Sequence, residues 1–292
     1  MKSNVAPLTH PEENPRTLVA PPDFESDRIH YDLSDDFFRC CLDPAMCYSS
    51  AYFANGTETL AEAQMAKIDR ALTALELKPG DRLLEVGHGW GATSMRALEQ
   101  WHVQVVGLTL SLHHHDYVAC LADGRDDIEL RIEGWESYEQ PCDAIVSFGA
   151  FEHFTAAKYE PFFAKCRSLL PSGGRLALQT ITRGRGSRSL VWARHTRFIL
   201  NDIFPGAEIP NPEDVVRHGH ENGFEIVLME SLRFHYARTL ETWGANLERN
   251  RDAAIRATDQ RTYDMFMKYF LKSAEYFRSG EYGAHQFVFQ AY

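Results

Sequence analysis

Between Glu58 and about Leu77, apolar residues at Leu60, Met65, Ile68, Leu72 and Leu75 recur at helical spacing, and Pro79-Gly80 closes the run. The pattern predicts an amphipathic helix. Upstream, Ser34-Asp-Asp-Phe-Phe sets an N-cap residue and two acids ahead of apolar positions, which predicts a shorter helix ending near Asp43-Pro44. After Pro79 the pattern changes to short apolar runs separated by helical segments. Strands are predicted at 82–86, 103–108, 128–132, 143–148, 174–182, 224–230 and 285–291, with helices at 92–100, 112–122, 157–169 and 212–222 between them. Such alternation marks an α/β fold with a largely parallel sheet. Two stretches exceed what a minimal doubly wound sheet needs, 183–210 after the fifth strand and 235–283 before the last, and both are mostly helical in pattern. Helical insertions after strand carboxyl ends are expected to roof a ligand site as a lid.

The organisation that follows is a loosely held arm over 1–26, rich in Pro and polar residues, and a single folded domain over 27–292. That domain comprises N-terminal helices within 33–77, a core over 78–182 and 211–234 completed by a last strand over 284–292, and a lid over 183–210 and 235–283. A chain of 292 residues, 44% hydrophobic and 24% charged, is able to bury such a core without staples. No run approaches the about 20 apolar residues of a membrane span, and the first 29 residues hold prolines and acids, so a cytoplasmic location is expected. Six cysteines without CxxC spacing suggest reduced thiols, with neither a zinc site nor a disulfide framework. A net charge of −11 argues against nucleic acid and against broad adhesion to anionic lipid.

Chemistry enters at Leu83-Leu-Glu-Val-Gly-His-Gly-Trp-Gly, a buried strand running into three glycines at alternate positions before a helix near Ala92. Glycine there permits positive φ and lets a ligand press on bare backbone. The spacing is G-x-G-x-G with an acid two residues ahead. It favours S-adenosylmethionine, whose ammonium Glu85 is placed to accept, over a dinucleotide whose pyrophosphate needs G-x-G-x-x-G. A nicotinamide dinucleotide and a bare turn remain the alternatives. The second strand ends in Gly107-Leu-Thr-Leu-Ser without the acid that holds a dinucleotide ribose, which counts against the former.

Further motifs carry a family resemblance from about Ile29 to the C-terminus: HYDLSDDFF (30–38), DPAMCYSSAYF (43–53), the glycine loop, VVGLTLS (105–111), GWESYEQPCDAIVSFGAFEHF (134–154), FILNDIFPGAEIP (198–210), FHYARTL (234–240) and MKYFLKSAEYF (267–277). On these the chain resembles the cyclopropane fatty acid synthases, and within them the mycolic acid cyclopropane synthase group. The resemblance implies a class I methyltransferase (Rossmann-like) fold, a seven-stranded sheet with helical lid insertions. It also implies methyl transfer to an unactivated cis double bond of a lipid chain. An alkene attacking a sulfonium methyl leaves a carbocation that water would quench, so such a pocket is dry and aromatic.

For cofactor binding the resemblance implies Tyr48, Ser49, Glu85, Gly87, Gly89, Trp90, Gly91, Thr109, Leu110 and His114, with Trp135 and Glu136 at the adenine edge. For ring closure it implies a bound bicarbonate as base, cradled by the Glu152 and Tyr236 side chains and the backbone of Phe148 and Ser50, with Gln179 beside it. Several positions depart from the family pattern. His88 and His114 stand where Cys and Gln are usual, Gln179 replaces a His that helps hold the anion, and Ser50 and Ser273 replace cysteines, which excludes a thiol nucleophile at either. Gly149 stands where relatives that add a methyl and a hydroxyl tend to carry Glu, so it leans toward cyclopropanation. The departures keep two rivals in view: C-methylation of a lipid or small natural product without ring closure, and a cofactor-binding protein without turnover.

Two weaker signals complete the reading. His113-His-His and His218-Gly-His fall in helices predicted at the surface and lack further ligands at metal spacing, so no metal is expected. Arg183, Arg185, Arg188, Arg194 and Arg197 cluster at the first lid segment of an acidic protein, a candidate contact for an acyl carrier protein or phosphate head group.

Overall fold

Local capping chemistry places the first helices of the computed structural model, which describes residues 34–186 and 190–292; the arm over 1–26 and Arg188 lie outside them. Ser34 accepts from the Phe37 amide to start α1 (Asp35–Arg39). Thr59 and Glu62 form a reciprocal capping box at α2 (Leu60–Ala74). Helix α1 ends earlier than the pattern suggests. The side chains of Asn246 and Asn250 take the Cys41 and Cys40 carbonyls at 3.0 and 2.9 Å, satisfying from elsewhere in the chain groups that another helical turn would have used.

Seven strands follow: β1 (Arg82–Val86), β2 (Gln104–Thr109), β3 (Ile128–Ile132), β4 (Ala144–Phe148), β5 (Arg175–Arg183), β6 (Phe224–Ser231) and β7 (Tyr282–Ala291). Their order is β3-β2-β1-β4-β5-β7-β6, parallel from β3 to β5, with β7 antiparallel to both β5 and β6. Helices α3 (Ala92–Trp101), α4 (Leu112–Leu121), α5 (Tyr159–Leu169) and α7 (Pro212–Glu221) cover the sheet. Strand β7 begins three residues before the predicted start because Tyr282 pairs with Arg183 and extends the ladder to the end of β5. The order reverses between β1 and β4, and in open α/β sheets ligands bind at the carboxyl ends of strands flanking such a switch.

Alternate strand residues feed two cores, one on each face. Leu84, Ile145, Leu178 and Phe287 pack with Phe162 and Phe163 of α5; Leu83, Val105, Val146 and Val288 pack with Ile68 and Leu72 of α2. The inserted segments fold as α6 (Leu190–Phe198) with a π-type turn at Ile199–Ile203, and as α8 (Arg233–Arg249), α9 (Arg251–Ala257) and α10 (Gln260–Ser279). They enclose a third, aromatic core in which Trp243, Phe266, Phe270 and Phe277 meet Phe37 and Phe38 of α1. The inserted helices therefore pack on the N-terminal helix beside the sheet's switch point. Among the described residues no helix is long and apolar enough to cross a membrane. The six cysteines are free thiols, five of them buried.

Candidate functional site

The loop after β1 folds back on β2, its Gly87 and His88 amides both donating to the Leu108 carbonyl at 3.0 and 3.1 Å. Gly89 has φ +50 and open space where a Cβ would point, so the backbone there is bare. Gly91 has a different job. Its φ is +83 and a Cβ would meet Val118 at 2.8 and 2.9 Å, which lets α4 pack against the start of α3. Gly91 is thus a packing glycine and, unlike Gly87 and Gly89, does not line the cleft beside it.

That cleft has a volume of about 210 Å³ and gathers Tyr48, Ser49, Glu85, Gly87, Gly89, Trp90, Thr109, Leu110, His114, Trp135 and Glu136, every other cofactor position implied by the sequence. Glu85 is buried and accepts from the Ser94 hydroxyl. Burial pushes its carboxyl up to about 7, against the lowering effect of the Ser94 and Thr93 hydrogen bonds and of the Lys67 charge. At the far side Trp135 packs on Phe154 and Phe162, and Glu136 pairs with Lys158 at 3.2 Å across the rim.

The histidines behave differently from a surface triad. His114 is only 4% exposed, its ring set edge-on to Trp90 at 4.4 Å, while Trp90 Nε1 and His113 Nε2 both reach Asp35 of α1, at 2.8 and 2.7 Å. The expected surface helix therefore turns one of its three histidines into the cleft wall. Burial holds His114 down at about 3 and His88 at about 4, so both are neutral near pH 7. His88 Nδ1 lies 2.9 Å from the Gly89 carbonyl, which only accepts, so the proton sits on Nδ1 and the buried Nε2 is a bare acceptor.

A second, smaller cavity of about 10 Å³ adjoins the cleft. It is lined by Ser49, Ser50, Gly149, Glu152, Gln179, Thr180, Ile181, Tyr236 and Ala284, and it shares Ser49 and Gly149 with the cleft. Four of the five proposed catalytic residues meet here: Glu152, Tyr236, Gln179 and Ser50. Phe148 does not; it forms part of the cleft wall, one residue from Gly149. Glu152 accepts from Thr180 Oγ1 at 2.9 Å, and burial raises its carboxyl above the usual range. Gln179 Nε2 donates to the Ser50 carbonyl at 3.1 Å, which leaves its Oε1 buried without a partner. The amide therefore turns an acceptor toward the cavity. The Ser50 carbonyl takes one of the two Nε2 hydrogens, so the amide keeps a donor as well as a free acceptor.

Sequence reading missed Lys67, which α2 carries into the cleft on its buried face with Ala63, Gln64, Ile68 and Ala71. Its Nζ donates to Ser49 Oγ at 3.0 Å and lies 4.5 Å from the Phe148 ring centre, and Gln64 Nε2 holds the Ser49 carbonyl at 2.9 Å. A lysine on the apolar stripe of a helix was the available signal. The arginine cluster is divided. Arg183 donates to the Ile209 carbonyl and Arg185 pairs with Glu213, whereas Arg194 and Arg197 lie exposed on α6 beside Leu190 and Val191. Among the described residues, no group of three or more His, Cys, Asp and Glu side chains is placed to hold a metal ion.

Comparison with known proteins adds the lineage. The family model described as mycolic acid cyclopropane synthetase matches residues 20–287. Cyclopropane mycolic acid synthase 1 of Mycobacterium tuberculosis is 44% identical over 280 residues, covering 92% of this chain and 98% of that protein. Hydroxymycolate synthase MmaA4 of the same organism is 42% identical over 265 residues, covering 87% and 88%. The crystal structure of mycolic acid cyclopropane synthase CmaA1 complexed with SAH and CTAB superposes with a TM-score of 0.89 at 44% identity, covering 93% of this chain and 99% of that one.

Proposed function

This chain belongs to the mycolic acid cyclopropane synthetase family of S-adenosylmethionine-dependent methyltransferases, and from that premise we propose that it adds one carbon to a cis double bond of a lipid acyl chain and closes a cyclopropane ring. One observation supports the reading: the glycine-loop cleft and the cavity lined by Glu152, Gln179 and Tyr236 share Ser49 and Gly149 as a common wall. A methyl donor bound in the cleft would then lie across one shared wall from a proton acceptor.

S-adenosylmethionine supplies, when bound, an electrophilic methyl on a sulfonium. The chain's own contribution is environment and proton handling. Tyr48 lies against Phe38 and Trp243, each at 5.2 Å between ring centres, and Phe204 packs on Tyr269 at 5.7 Å. These faces exclude water and tolerate a cation on the acyl chain. Glu152, buried and with its carboxyl raised above the usual range by that burial, is suited to hold the proton lost from the added carbon. A bicarbonate fits the chemistry of this cavity: Glu152 and the unpartnered Gln179 Oε1 accept its O–H, and the Tyr236 hydroxyl and nearby backbone hold its oxygens. It would supply a base there, and the cavity must widen to admit it.

A second reading has a specific support. Gln179 stands where the family usually has His, and a carboxamide does not relay a proton near neutral pH, which favours a methyl-branched product with the alkene retained. The acyl group is proposed to arrive on a carrier protein or phosphate head group that meets Arg194 and Arg197 on α6, and the protein is proposed to work in the cytoplasm.

Mass spectrometry of lipids from a host expressing the chain tests this. A gain of one CH₂ with loss of the double bond is the expected outcome. A gain with unsaturation kept selects the second reading, and unchanged lipids with every alkene offered overturn both.

A further inference from the structure

The Lys67 amino group is buried at 2% exposure in the wall of the cleft, and nothing in the methyl-transfer reading uses it. Of its three donors one is taken by Ser49 Oγ at 3.0 Å; its other close neighbour is the face of Phe148. The titratable groups acting on it are the Cys47 thiol, Asp43 and Glu85. Asp43 already accepts from the Ala45 and Cys47 amides at 3.0 and 2.9 Å, and among the described residues no carboxylate forms a salt bridge with Lys67. Glu85 is likewise buried in the same wall and accepts from the Ser94 and Thr93 hydroxyls and the Ser94 backbone amide, all of them uncharged donors. An amine and a carboxyl that line one cleft without a salt bridge between them are costly to ionise unless a ligand of complementary charge balances both.

We propose that Lys67 and Glu85 together form the receptor for the amino-acid end of the cofactor, Lys67 taking the α-carboxylate and Glu85 the α-ammonium. The assignment rests on the S-adenosylmethionine reading of the cleft and adds the group that recognises the cofactor's negative end. A zwitterion on one carbon presents both charges at once. Binding relieves both burial penalties, the one that lowers Lys67 and the one that raises Glu85. Gln64 fixes the geometry by clamping the Cys47 and Ser49 carbonyls to α2, so the Ser49 hydroxyl that orients Lys67 stays in register with it.

Calorimetric titration of the full chain with three probes tests the pair: S-adenosylmethionine, its decarboxylated form, and 5′-methylthioadenosine, which lacks the whole amino-acid end. Lys67→Met is expected to weaken S-adenosylmethionine by about ten- to a hundredfold, the loss of a charge-assisted hydrogen bond, and to leave the other two unchanged. Glu85→Gln is expected to weaken the first two and spare the third. A Lys67→Met protein that loses all three probes alike overturns the proposal, since lysine would then be holding the wall and not the ligand. Should that variant not fold, the wild-type protein decides: it must prefer S-adenosylmethionine to the decarboxylated form, and equal affinities refute the carboxylate contact. Wild-type protein that binds none of the three overturns the cofactor reading itself.

Discussion

Replacing Glu85 with Gln is expected to stabilise the ligand-free protein, and by an amount that depends on pH. The carboxyl is buried with Ser94 and Thr93 hydroxyls as hydrogen-bond donors and with Lys67 and Cys47 as its titratable neighbours, and burial raises it from 4.5 to about 7. A group raised in the folded state binds its proton more tightly there than in the unfolded chain. Its contribution is therefore neutral below about pH 4.5, falls as pH climbs, and levels off as a full penalty above about pH 7. At about 1.4 kcal/mol per pH unit, that interval is worth about 3 kcal/mol. Gln mimics the protonated acid at every pH, so the gain from Glu85→Gln should grow from its acid-side baseline by about 3 kcal/mol between pH 5 and pH 8. For a domain of this size that is roughly a 6–12 °C rise in Tm. Any loss from imperfect hydrogen bonding of the amide to Ser94 is an offset without pH dependence, so the slope is the test. Urea denaturation of both proteins across this range measures it, with thermal melts as a check. A flat difference, or one that shrinks as pH rises, would mean that Lys67 already compensates the charge in the free protein and that the burial argument is wrong. The same substitution weakens cofactor binding, so greater stability and lower affinity are expected together.

Two further outcomes follow from the geometry. Gly91→Ala should cost about 1–2 kcal/mol of backbone strain and about 1–3 kcal/mol of overpacking against Val118; adding Val118→Ala should recover the second part, and strictly additive losses in a denaturant double-mutant cycle would refute the contact. Reversing Arg194 and Arg197 to Glu should raise the apparent KM for a carrier-bound substrate and leave a short soluble mimic unaffected, whereas equal changes for both would exclude docking at α6.

Much of this molecule was legible one segment at a time. Strand and helix boundaries fall within a few residues of the hydrophobic pattern because apolar periodicity, caps such as Ser34 and Thr59, and breakers such as Pro79-Gly80 act locally. The glycine loop was legible for the same reason, and motif resemblance carried Glu152, Gln179, Tyr236 and Ser50 to what proved to be a single cavity. Where the reading fell short, a distant part of the chain decided the outcome. Asn246 and Asn250 end α1 early, and pairing with Arg183 lengthens β7.

The site divides along the same line. Sequence by itself determined which residue types line the glycine-loop cleft and that the chemistry is methyl transfer, since these depend on motifs held within short stretches. Only the tertiary structure decided that His114 is buried against Trp90, that Phe148 belongs to the cleft and Gly91 to packing, and that Gln179 presents its oxygen because Ser50 holds its nitrogen. It alone brought Lys67 of α2 and Glu85 of β1 into one wall as buried ionisable groups without a salt bridge between them. The physical reason is desolvation: a side chain's charge state and hydrogen-bonding role depend on what water it loses and what replaces that water, and both are supplied by segments far away in the chain.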